Sequence, residues 1–339
     1  MRQKSLQRKL KNKMIKILFA GSPEAAAHTL ELLFNAQNSA SLEFQIAGVL
    51  SNPPSAKGRH KDLIPTPVAA FAEAHNIPVF TPEHLDSAAR EAISPLKADL
   101  LVSFAYGHIF GPKFLALFPM GGINLHPSLL PKYRGCTPVP AAILNRDKET
   151  AVTVQTLSLK MDEGNILAQT IVELKGKETA ESLLNYSANE GAKLILNLID
   201  ECIKSGSLPE GKVQQGEASY TGIITKDDGR IDWNQAAEVI EAKIRAYYPE
   251  PCCWCLENGS PLKILEADFA KASDISLDGI NYDSEPAGKV LSFNKGLGIL
   301  VKTGDNILCI KKLQRQGKNA MDYKSFMNGA RNFTGTVLE

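Results

Sequence analysis

Asn124 and His126 stand two residues apart in the segment Gly122-Ile123-Asn124-Leu125-His126-Pro127-Ser128-Leu129-Leu130-Pro131. If residues 122–126 form a strand, side chains two apart project to one face. Both would lie at the C-terminal end of that strand, where open α/β sheets place their ligands. Pro127 and Pro131 stiffen the loop that follows and hold the polar pair at low entropic cost. Taken alone, an Asn and a His at a strand end serve structure as readily as chemistry. The second polar cluster is Leu159-Lys160-Met161-Asp162-Glu163-Gly164-Asn165. By itself, Asp162 followed by Gly164 reads as a tight turn. Together, Asn124, His126 and Asp162 supply an electrophile, an acid and a base, expected on one sheet edge. Acyl transfer to an amine needs these roles, donors for a developing oxyanion and a base for the ammonium proton. The sequence holds no G-x-S-x-G and no nucleophile with a neighbouring base, so direct transfer is the simplest scheme.

Two other chemistries fail on spacing. Pro251-Cys252-Cys253-Trp254-Cys255 matches P-C-x-x-C, half of a zinc-deaminase signature. Its H-x-E half is missing, because none of the six histidines is followed two residues on by Glu. No second C-x-x-C completes a structural zinc site, so no metal is expected and the cysteines read as a buried strand. A dinucleotide site needs G-x-G-x-x-G at the first strand-to-helix turn, where this chain has only Gly21 in Ala20-Gly21-Ser22-Pro23-Glu24-Ala25.

The elements that must position these residues follow from periodicity. Residues 14–20 are a short apolar run that reads as a buried parallel strand. Ser22 is then expected as N-cap, with Pro23 at the first helical position. Further strands are expected at 44–50, 99–104 and 122–126, with helices at 67–75 and 85–93 between them. That alternation predicts a doubly wound α/β sheet. Strand-like stretches at 151–158 and 165–174 flank the Asp162 turn, and a long helix is expected over 178–204. Ser205 to Gly211 is rich in Gly, Pro and Ser and reads as a linker. Beyond a helix at 234–247, five short strands are expected at 252–256, 261–269, 287–293, 297–303 and 306–314, suggesting a small barrel. A chain of 339 residues, against about 150 per domain, fits two domains.

The ordered motifs resemble those of the formyltransferases that use 10-formyltetrahydrofolate. The resemblance rests on Asn124-x-His126-Pro127-Ser128-Leu129-Leu130-Pro131, on Arg134-Gly135 and Pro138, and on Asp162-x-Gly164. Phe19 to Pro23, Phe104 to Gly107, Gly229 to Trp233 and Ile244 to Tyr247 are similar to the branch whose acceptor is the amine of methionyl-tRNA. It spans residues 14 to 335. The resemblance implies a Rossmann-like catalytic domain at 14–205, a linker at 206–222 and an OB-like barrel domain that binds tRNA at 223–339. It makes Asn124 and His126 the groups that polarise the formyl oxygen, and Asp162 the group that organises proton transfer. The folate donor would be held by Phe104, Ala105, Tyr106, Gly107, Ser128, Leu129, Leu130, Pro131, Glu163 and Gly164, largely through the main chain. Contacts to tRNA are expected from Lys57, Arg59 and Lys61 in a basic loop, from Arg134, and from Lys226, Lys311, Lys312, Arg315 and Lys318.

Charge and composition bound the alternatives. Hydrophobic residues are 44% and charged residues 22%, ordinary for a globular enzyme. No apolar run reaches the roughly 18 residues of a membrane span. The 38 basic and 37 acidic residues exclude binding nucleic acid by bulk charge but leave room for patches. Arg2, Lys4, Arg8, Lys9, Lys11, Lys13 and Lys16 make the first 16 residues strongly basic, and residues 1–13 are expected to be an extension outside the fold. Residues 286–338 carry nine Lys or Arg against Asp305 and Asp322, a net of +7, a stripe suited to RNA. Six cysteines and no apolar leader fit a reducing compartment, so a cytoplasmic protein is expected, and a monomer is expected as well. A formyltransferase for a small amine, or a noncatalytic RNA-binding module, remains the alternative.

Overall fold

A computed structural model describes residues 14–39, 42–57, 62–277, 280–330 and 332–339. The basic extension 1–13 and two of the expected RNA contacts, Arg59 and Lys61, lie outside the described residues. The chain divides into two compact units. The first takes residues up to 138, 149–173 and 184–222; the second takes 139–148, 174–183 and 223–339.

The first unit contains β1 (Ile15–Gly21), β2 (Phe44–Leu50), β3 (Ser55–Lys57), β4 (Asp62–Ile64), β5 (Val79–Phe80), β6 (Leu100–Phe104), β7 (Gly122–His126), β8 (Arg134–Gly135), β9 (Glu149–Thr156), β10 (Ile166–Glu173) and β11 (Tyr220–Thr221). Seven of these form one sheet in the order β10-β9-β7-β6-β1-β2-β5. Neighbours from β5 to β7 are parallel, whereas β9 and β10 run antiparallel. The order reverses between β1 and β6, the crevice where such sheets bind ligands.

Alternation along the strands builds a core on each face. Ile17, Phe19, Leu100, Val102, Ile123 and Leu125 pack in one cluster, while Leu18, Ala20, Leu50 and Leu101 pack in the other. Helix Ala180–Ser205 lays Ala188, Ile195, Ile199 and Cys202 on the first cluster, the stripe expected of a 3.6-residue repeat. One local expectation is corrected. The first helix is Glu24–Asn38 with Pro23 as its cap and no side-chain cap bond. Ser22 Oγ instead accepts from the Asn52 N–H at 3.2 Å, joining the turn after β1 to the turn after β2.

Residues 206–222, expected to be a linker, pair with the first unit. Lys212 exchanges main-chain bonds with Ile166 at 2.8 Å, and β11 pairs with β8. Gly, Ser and Pro left this stretch extended, and extended backbone satisfies its polar groups by pairing with whatever edge it meets.

In the second unit, β12 (Cys253–Glu257), β13 (Ser260–Ala270), β14 (Val290–Asn294), β15 (Gly298–Lys302), β16 (Ile307–Arg315) and β17 (Met321–Asp322) form an antiparallel sheet ordered β12-β13-β16-β15-β14, with β17 on β16. Residues 336–339 bond both outer strands. Val290 N–H donates to the Thr336 carbonyl and Leu338 N–H to the Gly288 carbonyl, each at 2.9 Å, while Leu256 and Glu339 exchange bonds at 2.7 and 3.0 Å. This tail covers the two sheet edges, which otherwise expose unpaired main-chain groups. Cys253 and Cys255 point into the core, and burial pushes the Cys253 thiol up to about 12. Among the described residues no group of three or more His, Cys, Asp or Glu is placed to hold a metal, and no helix is long and apolar enough to cross a membrane.

Candidate active site

Asn124 and His126 lie on β7 with Ile123 and Leu125 between and before them, and only the latter two join the first core cluster. The polar pair therefore shares the opposite face. His126 is 4% exposed, and its Nε2 lies 2.9 Å from the Tyr133 carbonyl oxygen. A carbonyl only accepts, so Nε2 carries hydrogen, and Nδ1 is the nitrogen turned toward Asp162 at 3.6 Å. Tyr133 holds φ at +60° to present that carbonyl.

Asp162 does not reach the pair from the same sheet edge. Because β9 is antiparallel to β7, its last residue Thr156 stands beside Ile123, and Leu157 N–H bonds the Gly122 carbonyl at 2.8 Å. Residues 158–164 must then fold back for the Asp162 carboxylate to meet Asn124. The return is tight: Asp162 holds φ at +53°, a left-handed conformation that Asp tolerates better than most side chains. Gly164 passes so close to β9 that a Cβ there would lie 1.7 Å from the Thr156 carbonyl oxygen. Gly164→Ala therefore forces the whole turn to move. The expected result is a loss of activity of about 100-fold or more from displacement of the Asp162 carboxylate, with a melting temperature below wild type. Wild-type kcat in this variant would show that the turn does not set the chemistry.

Both carboxylate oxygens of Asp162 are held. Oδ1 accepts from Gln155 Nε2 at 2.8 Å and Asn124 Nδ2 at 3.4 Å, and Oδ2 accepts from the Gly135 N–H at 2.8 Å. Gln155 was not among the residues singled out from sequence. Its signal is a polar side chain inside the apolar strand β9, 1% exposed, and the register sets it directly opposite Asn124. Gln214 was missed as well, because it lies in the stretch read as a linker. Its Nε2 donates to the Asp162 carbonyl at 2.7 Å and the Gly164 carbonyl at 2.8 Å.

The remaining expected residues divide by accessibility. Phe104, Tyr106, Ser128 and Leu130 are buried, while Ala105, Gly107 and Glu163 are exposed and Leu129 and Pro131 half-buried. Tyr106 turns its ring into the second core cluster, where burial pushes its hydroxyl up to about 12. Its carbonyl accepts from Asn52 Nδ2 at 3.1 Å. Ala105 and Gly107 take positive φ, +51° and +88°, and a Cβ on Gly107 would meet only Asn52 Nδ2, at 4.0 Å. The loop after β6 thus offers main chain with open space beside it. Since Phe104 pairs with Leu125 across parallel strands, this loop and the proline loop after β7 leave neighbouring strand ends.

Of the expected RNA contacts, Lys57 is the last residue of β3. Arg134 is engaged internally: its Nη1 lies 3.2 Å from Glu163 Oε1 and donates to Tyr220 Oη at 3.0 Å. In the second unit, Lys226 and Lys318 are exposed and Lys311 and Lys312 half-buried. Arg315 pairs with Glu257 through two bonds and lies over the Phe326 ring at 4.5 Å. The Glu257 hydrogen bond, opposed by burial, holds its guanidinium charge even more firmly, and that charge already has a partner.

Residues 15–199 match the formyl transferase family model, and residues 223–331 match its formyl transferase C-terminal domain. Given the sheet order and the residues gathered at β7, the chain belongs to the formyltransferase family. Its similarity is more particular than that: it is 40% identical over 328 residues to the methionyl-tRNA formyltransferase of Treponema denticola, covering 94% of this chain and 98% of that one. It is also 36% identical to the methionyl-tRNA formyltransferase of Borrelia hermsii, covering 96% of this chain and 100% of that one. Among solved structures, the fold is shared with WlaRD, a sugar 3N-formyl transferase, at TM-score 0.58 and 21% identity over 91% of this chain and 100% of that one. It is shared too with HypX from Aquifex aeolicus in complex with tetrahydrofolic acid, at TM-score 0.64 and 15% identity over 95% of this chain. The chain spans about half the length of HypX, 48% of it.

Proposed function

We propose that this chain transfers the formyl group of 10-formyltetrahydrofolate to the α-amine of methionyl-tRNA, working in the cytoplasm. The observation that carries the acceptor is the similarity to methionyl-tRNA formyltransferases along nearly the whole of both chains. The geometry supports the chemistry. The open main chain of Ala105 and Gly107, with Leu129 and Pro131 on the adjacent loop, suits a flat ring with hydrogen-bonding edges, which supports a donor site near Asn124.

In this reading the amine nitrogen bonds to the formyl carbon while the bond from that carbon to the folate nitrogen breaks. Asn124 Nδ2 and a protonated His126 Nδ1 donate to the formyl oxygen as charge develops on it. His126 Nε2 stays on the Tyr133 carbonyl and fixes the ring. Asp162 orients both donors, receives the proton that the amine loses and returns it to the folate nitrogen as that nitrogen leaves. The test is to incubate the protein with 10-formyltetrahydrofolate and methionyl-tRNA, with free methionine and uncharged tRNA as controls. Formylmethionyl-tRNA is expected in the complete mixture alone. Formylation of an amino sugar nucleotide but not of methionyl-tRNA would move the assignment to a small-amine enzyme.

A further inference from the structure

We infer that Gln214 is a positioning residue for Asp162, with Arg134 setting the direction of its amide; the inference rests on the role of Asp162 in the reading above. Gln214 Nε2 donates to the carbonyl of Asp162 at 2.7 Å and to that of Gly164 at 2.8 Å, and lies 3.2 Å from Gln155 Oε1. Its Oε1 accepts from Arg134 Nε at 3.1 Å and Nη2 at 2.8 Å. A guanidinium only donates, so the amide atom facing Arg134 must be the oxygen. A flipped amide would set donor against donor at Arg134 and oxygen against two carbonyls at the turn. Arg134, with its side chain 12% exposed and paired to Glu163, thereby locks the Gln214 donor onto the turn.

The turn needs that lock. Asp162 sits in the left-handed region at φ +53°, and one side chain bonds the carbonyls on either side of Glu163. Gln155 completes a closed circuit, because its Nε2 bonds Asp162 Oδ1 while its Oε1 faces Gln214. Gln214 therefore fixes the main chain that carries the carboxylate, while Gln155 fixes the carboxylate itself. A displacement near 1 Å at a reacting group costs on the order of 100-fold in rate.

Gln214→Ala and Gln214→Glu, each made in wild type and in Asp162→Asn, test this by single-turnover formylation of methionyl-tRNA, with KM for both substrates and melting temperature measured alongside. In the wild-type background, Gln214→Ala lowers the rate by about 10- to 100-fold and changes neither KM by more than about threefold. In the Asp162→Asn background the same change costs less than about threefold, since two residues acting through one group are not additive. Gln214→Glu keeps volume and the acceptor for Arg134 but loses the donor, and falls as far as Gln214→Ala. Equal losses in both backgrounds, a defect confined to KM, or a wild-type rate in Gln214→Glu would overturn the inference. A wild-type protein that forms no formylmethionyl-tRNA would instead overturn the functional reading.

Discussion

Asp162→Asn lowers kcat by about 10² to 10⁴, the range for loss of a positioned acid-base group, while KM for the formyl donor stays near wild type. The exchange is almost isosteric, which from sequence alone suggests a silent change in packing. The structure corrects that view. Oδ1 accepts from Gln155 and Asn124, and Oδ2 accepts from the Gly135 N–H, so an amide at this position sets its NH2 against a donor in either orientation. One bond is lost whichever way it turns, at a cost of about 1–3 kcal/mol. The melting temperature should therefore fall modestly along with kcat. Purified, folded variant assayed at saturating donor provides the check; turnover equal to wild type would take Asp162 out of the mechanism.

The second large effect is expected at the donors on β7. Asn124→Ala and His126→Ala each lower kcat by about 10² to 10³, as when one donor to a developing oxyanion is removed. Their stabilities should differ. Asn124 is half-buried and its bond to Asp162 is long, at 3.4 Å, so its loss disturbs little. His126→Ala leaves the Tyr133 carbonyl without its 2.9 Å donor in a buried place, a further destabilisation of about 1–3 kcal/mol. The double variant should lose less than the sum of the two free-energy costs, because in the proposed reaction both act on the same oxygen. Steady-state kinetics of the three variants decide it: strict additivity, or a defect only in KM for folate, marks the pair as binding residues.

Much of the candidate site was legible without coordinates because its parts obey local rules. Asn124 and His126 are two apart on a strand, so they share a face wherever that strand lies. Gly164 beside Asp162 announces a turn that no larger residue can make. Gln155 was harder to see, since a single Gln among apolar neighbours has no meaning until a partner strand is known. Gln214 was hidden in the expected linker, just past the Gly-, Ser- and Pro-rich stretch, which describes a flexible connection equally well in solvent or laid along an edge. Arg134 and Arg315 were read as charges for RNA, and each proves to have a carboxylate beside it, Glu163 and Glu257, far away in sequence.

The sequence by itself determined the elements and the chemistry of the residues they carry. Periodicity of two or 3.6 follows from backbone geometry, so strands β1, β2, β6 and β7 and the helices on them are written in short apolar runs. Only the tertiary structure decided that β9 runs against β7. That one reversal sets Gln155 beside Asn124, makes the Asp162 turn fold back, and brings Gln214 from a presumed linker onto its carbonyls. Strand direction at a sheet edge is chosen by which pairing buries both faces and satisfies every main-chain group at once. No run of adjacent residues encodes that choice, since it depends on all the elements together.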